Sequence, residues 1–143
     1  MAIIDNELRL GSAQAFSASG ATTSYLDSGV ARNLGSGEPM AMVFTVTTAA
    51  DHTTGDESYS FAVQSDSSSA FGSAVDNITL DVANTTLVAG YKVVLPLGPT
   101  TTRYIRGYLT LGGTTPSVSV TTDIVPLEDV RKMAYYSAGY TIA

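Results

Sequence analysis

The side chains best suited to chemistry lie within seven positions of one another: Asp51, His52, Asp56 and Glu57. His52 is the only histidine, so a metal site or a general base built on imidazole must use it. The stretch lacks the alternating Asp/Asn register that a calcium loop needs before its glycine, here Gly55. A lone histidine with carboxylates holds a metal only weakly unless further ligands come from elsewhere. A serine hydrolase would also need His52. Gly35-Ser36-Gly37 is not the nucleophile elbow, whose glycines stand two positions from the serine. Glycosidase chemistry needs two facing carboxylates, drawn from Asp51, Asp56, Glu57, Asp66, Asp76 and Asp81. Most of these stand beside Gly, Ser or Asn, where acids usually cap turns. With no cysteine, thiol catalysis, thiolate metal sites and disulfides are excluded. No Gly-rich loop leads into Lys-Ser or Lys-Thr, so a phosphate cradle is missing too. The expectation is a solvated hairpin loop at 49–57, no catalytic set, no metal site and no cofactor.

A second group points to binding. Arg103 and Arg106 flank Tyr104, and Tyr108 follows two residues after Arg106. Arg and Tyr are over-represented among residues that dominate protein interfaces. Tyr104 and Tyr108 could also stack on sugar rings, although the chain has no Trp to serve as a platform. An ordinary outer sheet face would carry the same residues.

These residues must be positioned by strands. Met40 to Thr47 is apolar or Thr on both faces, as in a strand covered on both sides. Ser58 to Gln64 alternates, with Tyr59, Phe61 and Val63 on one face. Ile78 to Val82, Tyr91 to Leu97, Arg103 to Leu111 and Ser117 to Val125 follow the same logic. In the third of these, Tyr104, Arg106 and Tyr108 alternate with Ile105, Gly107 and Leu109. Thr22 to Leu26 is a short candidate. Gly112-Gly113 reads as a tight turn, and Ser65 to Ser69 as a mobile loop. Seven or eight short strands at this spacing predict an antiparallel β-sandwich or barrel. Leu127 to Met133 is the only helical candidate.

The whole composition agrees. The chain of 143 residues contains 16 Ser and 19 Thr, and only 14% of it is charged. Thr fits a pleated surface, and a helical bundle would need more charge on its outer faces. A chain of this length buries roughly 70% of its unfolded surface and needs no staples. The net charge of −6, from 13 acidic and seven basic residues, argues against nucleic-acid binding. The longest apolar run falls far short of the ~20 residues of a membrane span. Acids near the start, Asp5 and Glu7, argue against a signal peptide.

The two ends stand out. Residues 1–20 are predicted to form an extended arm carrying Ile3, Ile4, Leu8 and Leu10. Residues 127–143 are predicted to form a tail carrying Tyr135, Tyr136, Tyr140 and Ile142, between which residues 21–126 form the sandwich. Both ends are expected to reach partner subunits, because free ends are normally polar. The competing reading packs both ends back as edge strands of the same sandwich.

The stretch RNLGSGEPMAMVFTVTTAADHTTGDESYSFAVQSD, residues 32–66, resembles the cement (decoration) proteins of tailed-phage capsids. In that family a turn of the GEPM kind leads into an apolar strand and then a TTGDE-Y-F hairpin. LGGTTPSVSVT (111–121) and YYSAGYTIA (135–143) fit as well, in the right order. The likeness is loose from Ser67 to Gly90. It implies a jelly-roll-like sandwich on the outer capsid surface, contact with the major capsid protein, and self-association as a homodimer or homotrimer. It further implies synthesis in the host cytoplasm and residence in the virion. The other class in view is a carbohydrate-binding sandwich of a phage tail or host-attachment protein.

Overall fold

The computed structural model describes residues 8–29, 39–97, 102–128 and 130. Nine strands are assigned among them: β1 Arg9–Phe16, β2 Gly20–Ala21, β3 Leu26–Asp27, β4 Met40–Thr48, β5 Ser58–Asp66, β6 Val75–Val82, β7 Lys92–Pro96, β8 Tyr104–Gly112 and β9 Val118–Pro126. They form two antiparallel sheets. The first runs β1-β9-β4-β7, and the second runs β2-β8-β5-β6, with β3 also on β8. The all-β sandwich expected from the strand spacing is what the chain builds.

Alternation dictates which side chains meet between the sheets. Met42, Phe44 and Val46 of β4 and Val118, Val120 and Ile124 of β9 point inward from one sheet. Tyr59, Phe61 and Val63 of β5 and Ile105 and Leu109 of β8 answer from the other. Phe44 and Phe61 meet edge to face across the gap, with ring centres 5.1 Å apart. Each such ring, fully removed from water, contributes about 2–3 kcal/mol. Strand β4 is buried on its second face as well, where Val43 and Val125 pack with Val94 and Val130. That explains its unbroken apolar sequence.

One connection differs from the sequence reading. The 49–57 loop is not a hairpin, because β4 pairs with β7 and β9 while β5 pairs with β6 and β8. The loop crosses from one sheet to the other, and so does the Gly112-Gly113 turn between β8 and β9.

The N-terminal arm is corrected in part. Arg9–Phe16 is an edge strand of the sandwich itself, paired with β9 from Arg9↔Asp123 to Phe16↔Val118. Leu10 sits in the core at 2% exposure, so it cannot reach a partner subunit, and Leu8 packs half-buried against the same core. The sandwich therefore starts at Arg9, within the stretch expected to be arm. At the other end, Leu127, Glu128 and Val130 are helical. Ile3, Ile4, Tyr135, Tyr136, Tyr140 and Ile142 lie outside the described residues. No helix among the described residues is long and apolar enough to cross a membrane.

Candidate interaction surface

The acidic loop with its histidine is built as a structural joint. Asp51 accepts the N–H of Thr53 at 3.0 Å. Glu57, only 5% exposed, accepts the N–H groups of Thr54 at 3.1 Å and Gly55 at 2.9 Å, together with the Thr54 hydroxyl. Asp56 reaches across to the other inter-sheet turn and accepts both the N–H and the hydroxyl of Thr114, at 3.0 and 2.9 Å. The Tyr59 hydroxyl donates to the Asp51 carbonyl at 2.7 Å and accepts the Ser117 N–H at 3.1 Å. Gly113 is required here. Its φ is +89°, and a Cβ on it would fall 2.4 Å from the Asp56 carbonyl oxygen.

These bonds hold the carboxylates ionised. Asp51 is held below its ordinary pKa by the Thr53 hydroxyl, Asp56 by the Thr114 N–H, and Glu57 by the Thr54 hydroxyl. A general acid at neutral pH needs the opposite shift. His52 places Nδ1 3.3 Å from the Ala50 carbonyl and does not bridge the carboxylates. Among the described residues, no three His, Cys, Asp or Glu side chains converge as metal ligands do.

The other candidate group is brought together. Tyr104, Arg106 and Tyr108 point outward from β8, as alternation requires, while Ile105, Gly107 and Leu109 point in. The Arg106 guanidinium lies 4.2 Å from the centre of the Phe71 ring and 5.4 Å from that of Tyr108. Its Nε donates to Gln64 Oε1 at 2.9 Å, and Gln64 in turn donates to Asp76 Oδ1 at 2.8 Å. Arg103 forms a two-pronged pair with Asp27, at 2.5 and 2.8 Å, and lies over Tyr104 at 5.0 Å. That pair, with the Gly29 N–H, holds Asp27 down to about 2 and raises Arg103. Tyr25, 46% exposed, stands edge-on to both Phe71 and Tyr104, at 5.8 and 5.6 Å.

Phe71 and Tyr25 were not visible as members of this surface in the sequence. Phe71 follows the Ser65–Ser69 stretch predicted to be mobile, and the first part of that stretch is fixed for a physical reason. Ser65 and Asp66 belong to β5 and are buried. The Asp66 carboxylate then accepts the N–H groups of Ser68 at 3.0 Å and Ser73 at 2.8 Å, which lowers its pKa and ties the loop back. The loop sets Phe71 at φ +52°, a left-handed backbone that costs a bulky residue about 1–3 kcal/mol. Such strain is kept where surrounding contacts fix it, here the Arg106 and Tyr25 side chains. Asp66-Ser67-Ser68, a run able to form Asx turns, was the available signal.

The result is an outer patch of Tyr25, Tyr104, Tyr108, Arg103 and Arg106, with Phe71 packed buried against Arg106 and Tyr25 and both arginines already oriented. The family model Bbp16 matches residues 10–124, from Leu10 in β1 to Ile124 in β9, which takes in all but the outermost residues of the sandwich. No curated protein matches the chain. The chain belongs to the Bbp16 family.

Proposed function

We propose that this member of the Bbp16 family is a cement (decoration) protein of a tailed-phage capsid. It has no catalytic role in this reading. It binds the outer surface of the shell, bridges major capsid protein subunits and associates with itself as a dimer or trimer. Neither nucleic acid nor membrane is a partner, and the protein resides on the virion surface after synthesis in the host cytoplasm.

The observation that carries the reading is the oriented Arg–aromatic patch of Tyr25, Phe71, Tyr104, Arg103 and Arg106. Large rings and guanidinium groups fixed before binding lose little entropy on docking, which is what makes interface hot spots strong. The resemblance of residues 32–66, 111–121 and 135–143 to cement proteins supports the major capsid protein as the partner. The strand order supports reading the sandwich as a jelly roll: the chain changes sheet from β4 to β5, from β6 to β7, from β7 to β8 and from β8 to β9. Cementing itself is multivalent binding, in which many modest contacts between neighbouring subunits add up to a shell that resists rupture.

The test is the solution mass of the purified protein, followed by sedimentation with empty capsid shells. A dimer or trimer that travels with the shells supports the reading. A monomer that stays in the supernatant overturns it and favours a carbohydrate-binding module. Removing residues 135–143 tests the tail: folding is expected to survive while shell binding falls.

A further inference from the structure

A two-sheet sandwich has four edges, and three of them here are blunted. Strand β1 breaks register twice against β9 and carries Ala13 at φ +44°. Strand β7 has five residues, among them Lys92 and Pro96, and proline offers no N–H. The edge beside β8 is split into the two-residue pieces β2 and β3. Bulges, Lys, Pro and short strands are the usual protections against edge pairing. Strand β6 has almost none of them. It runs eight residues, Val-Asp-Asn-Ile-Thr-Leu-Asp-Val, and among the described residues it pairs only with β5. Its one irregularity lies near its start, between the Val63 and Gln64 pairings, which leaves Ile78–Val82 in even register. Val75 and Leu80 are 59% and 44% exposed.

The two faces of β6 differ. Asp76, Thr79 and Asp81 pair with Gln64, Ala62 and Ser60 on the outer face of the sheet. There they line an open groove of about 660 Å³ whose floor is small and polar, including Ser60 and Thr110. Leu80 pairs with Phe61 and faces the other way. We propose that the β6 edge receives an extended strand from a different protein, with Lys or Arg at alternate positions over the groove and aliphatic residues between them beside Leu80. Directly opposed side chains on neighbouring strands stand about 5 Å apart, so basic residues would meet Asp76 and Asp81. A second copy is the poorer occupant. Two β6 strands would bring four aspartates onto one face, and β6 has no cation to offset them. That the partner is a capsid subunit rests on the cement reading; the edge and its charge preference do not.

Fluorescence anisotropy with three nine-residue probe peptides tests this. One alternates Lys and Val, one alternates Glu and Val, and one is the Lys/Val peptide with two adjacent central prolines. The Lys/Val peptide is expected to bind at least about tenfold tighter than either of the others, since charge match and strand pairing both contribute. In the double variant Asp76→Lys/Asp81→Lys, checked for an intact sandwich by circular dichroism, the preference is expected to reverse toward the Glu/Val peptide. Equal binding of the proline-interrupted peptide, no binding of any peptide, or an unchanged preference in the double variant each overturns the proposal. So does dimerisation that is abolished by Leu80→Lys, because a second copy would then occupy the edge. Shell sedimentation reads the other question: shells bound by a protein that fails the peptide test leave the cement reading standing without β6.

Discussion

Gly107 on β8 faces Phe44 on β4 so closely that a Cβ at position 107 would fall 2.9 Å from Phe44 Cε1 and 2.8 Å from Thr22 Cγ2. The glycine is a packing requirement: its missing side chain is the space that the ring fills between the sheets. Gly107→Ala is expected to cost about 1–3 kcal/mol by forcing the ring or strand β8 outward. Gly72→Ala serves as the control, since nothing lies within 4 Å of a Cβ there. Urea unfolding of both variants checks this, and equal midpoints would show that the sandwich gives way without cost.

Next to the same ring, Thr122 pairs with Phe44 across β9 and β4. It is 1% exposed, and its hydroxyl finds no hydrogen-bond partner among the described residues. A buried hydroxyl left without a partner costs about 1–3 kcal/mol. Thr122→Val keeps the shape and removes the hydroxyl, so it is expected to stabilise the fold, by up to about 1 kcal/mol. A lower melting temperature in Thr122→Val would reveal a partner for that hydroxyl.

Tyr59 plays the opposite part. Its ring is buried at 2% exposure, and its hydroxyl joins the Asp51 carbonyl to the Ser117 N–H, which ties the 49–57 crossover to the start of β9. Tyr59→Phe strands both groups and is expected to cost about 1–2 kcal/mol. Hydrogen exchange at the Ser117 amide should rise more than at the Phe44 amide, and uniform acceleration would place the loss in global stability instead.

Much of this was legible in the chain. Alternation placed Tyr104, Arg106 and Tyr108 on one face and Ile105, Gly107 and Leu109 on the other, and β4 was recognisable as a strand covered twice. The period-two signal reports which side of a strand is buried, and it carries no information about which strand lies alongside. The Asp51–Glu57 loop therefore looked like a hairpin when it is a crossover. Leu10 looked like part of a free arm because Gly11, Ser12 and Ala13 break alternation; those residues form the bulged part of β1. Phe71 was hidden for a further reason. Its position depends on Asp66, buried and bonded to Ser68 and Ser73, and a Ser-rich stretch looks the same whether or not one carboxylate organises it.

Acid should unfold the protein through these same carboxylates. Asp27, Asp51, Asp56, Glu57 and Asp66 all have folded pKa values below their ordinary ones, Asp27 at about 2. The unfolded chain, with carboxylates near about 4, binds protons first as the pH falls. The stability these groups contribute is fully present above about pH 5 and drains away from about pH 4 toward about pH 2. The melting temperature is expected to stay level between about pH 7 and pH 5 and then to fall. Asp66→Asn should start lower at neutral pH and lose less on acidification, and an unchanged acid slope would remove Asp66 from the account.

The last prediction concerns the patch itself. Arg106 touches Phe71, Tyr108 and Gln64, yet it lies on the outer face of its sheet, so the core does not depend on it. Arg106→Ala is expected to lower shell binding by at least about tenfold, the scale of an interface hot spot. It should cost the fold about 1–2 kcal/mol, because the buried Phe71 ring loses its cation–π partner. Arg106→Lys keeps the charge and loses the planar stacking on Phe71, so it should recover only part of the binding. Arg103→Ala separates two roles. Its pair with Asp27 is exposed on both sides and adds little to stability, so a loss of binding there would come from the missing guanidinium itself and from Tyr104 losing its partner. Co-sedimentation of the three variants with empty shells, beside their thermal unfolding, measures both quantities. Full binding by Arg106→Ala would move the contact away from β8.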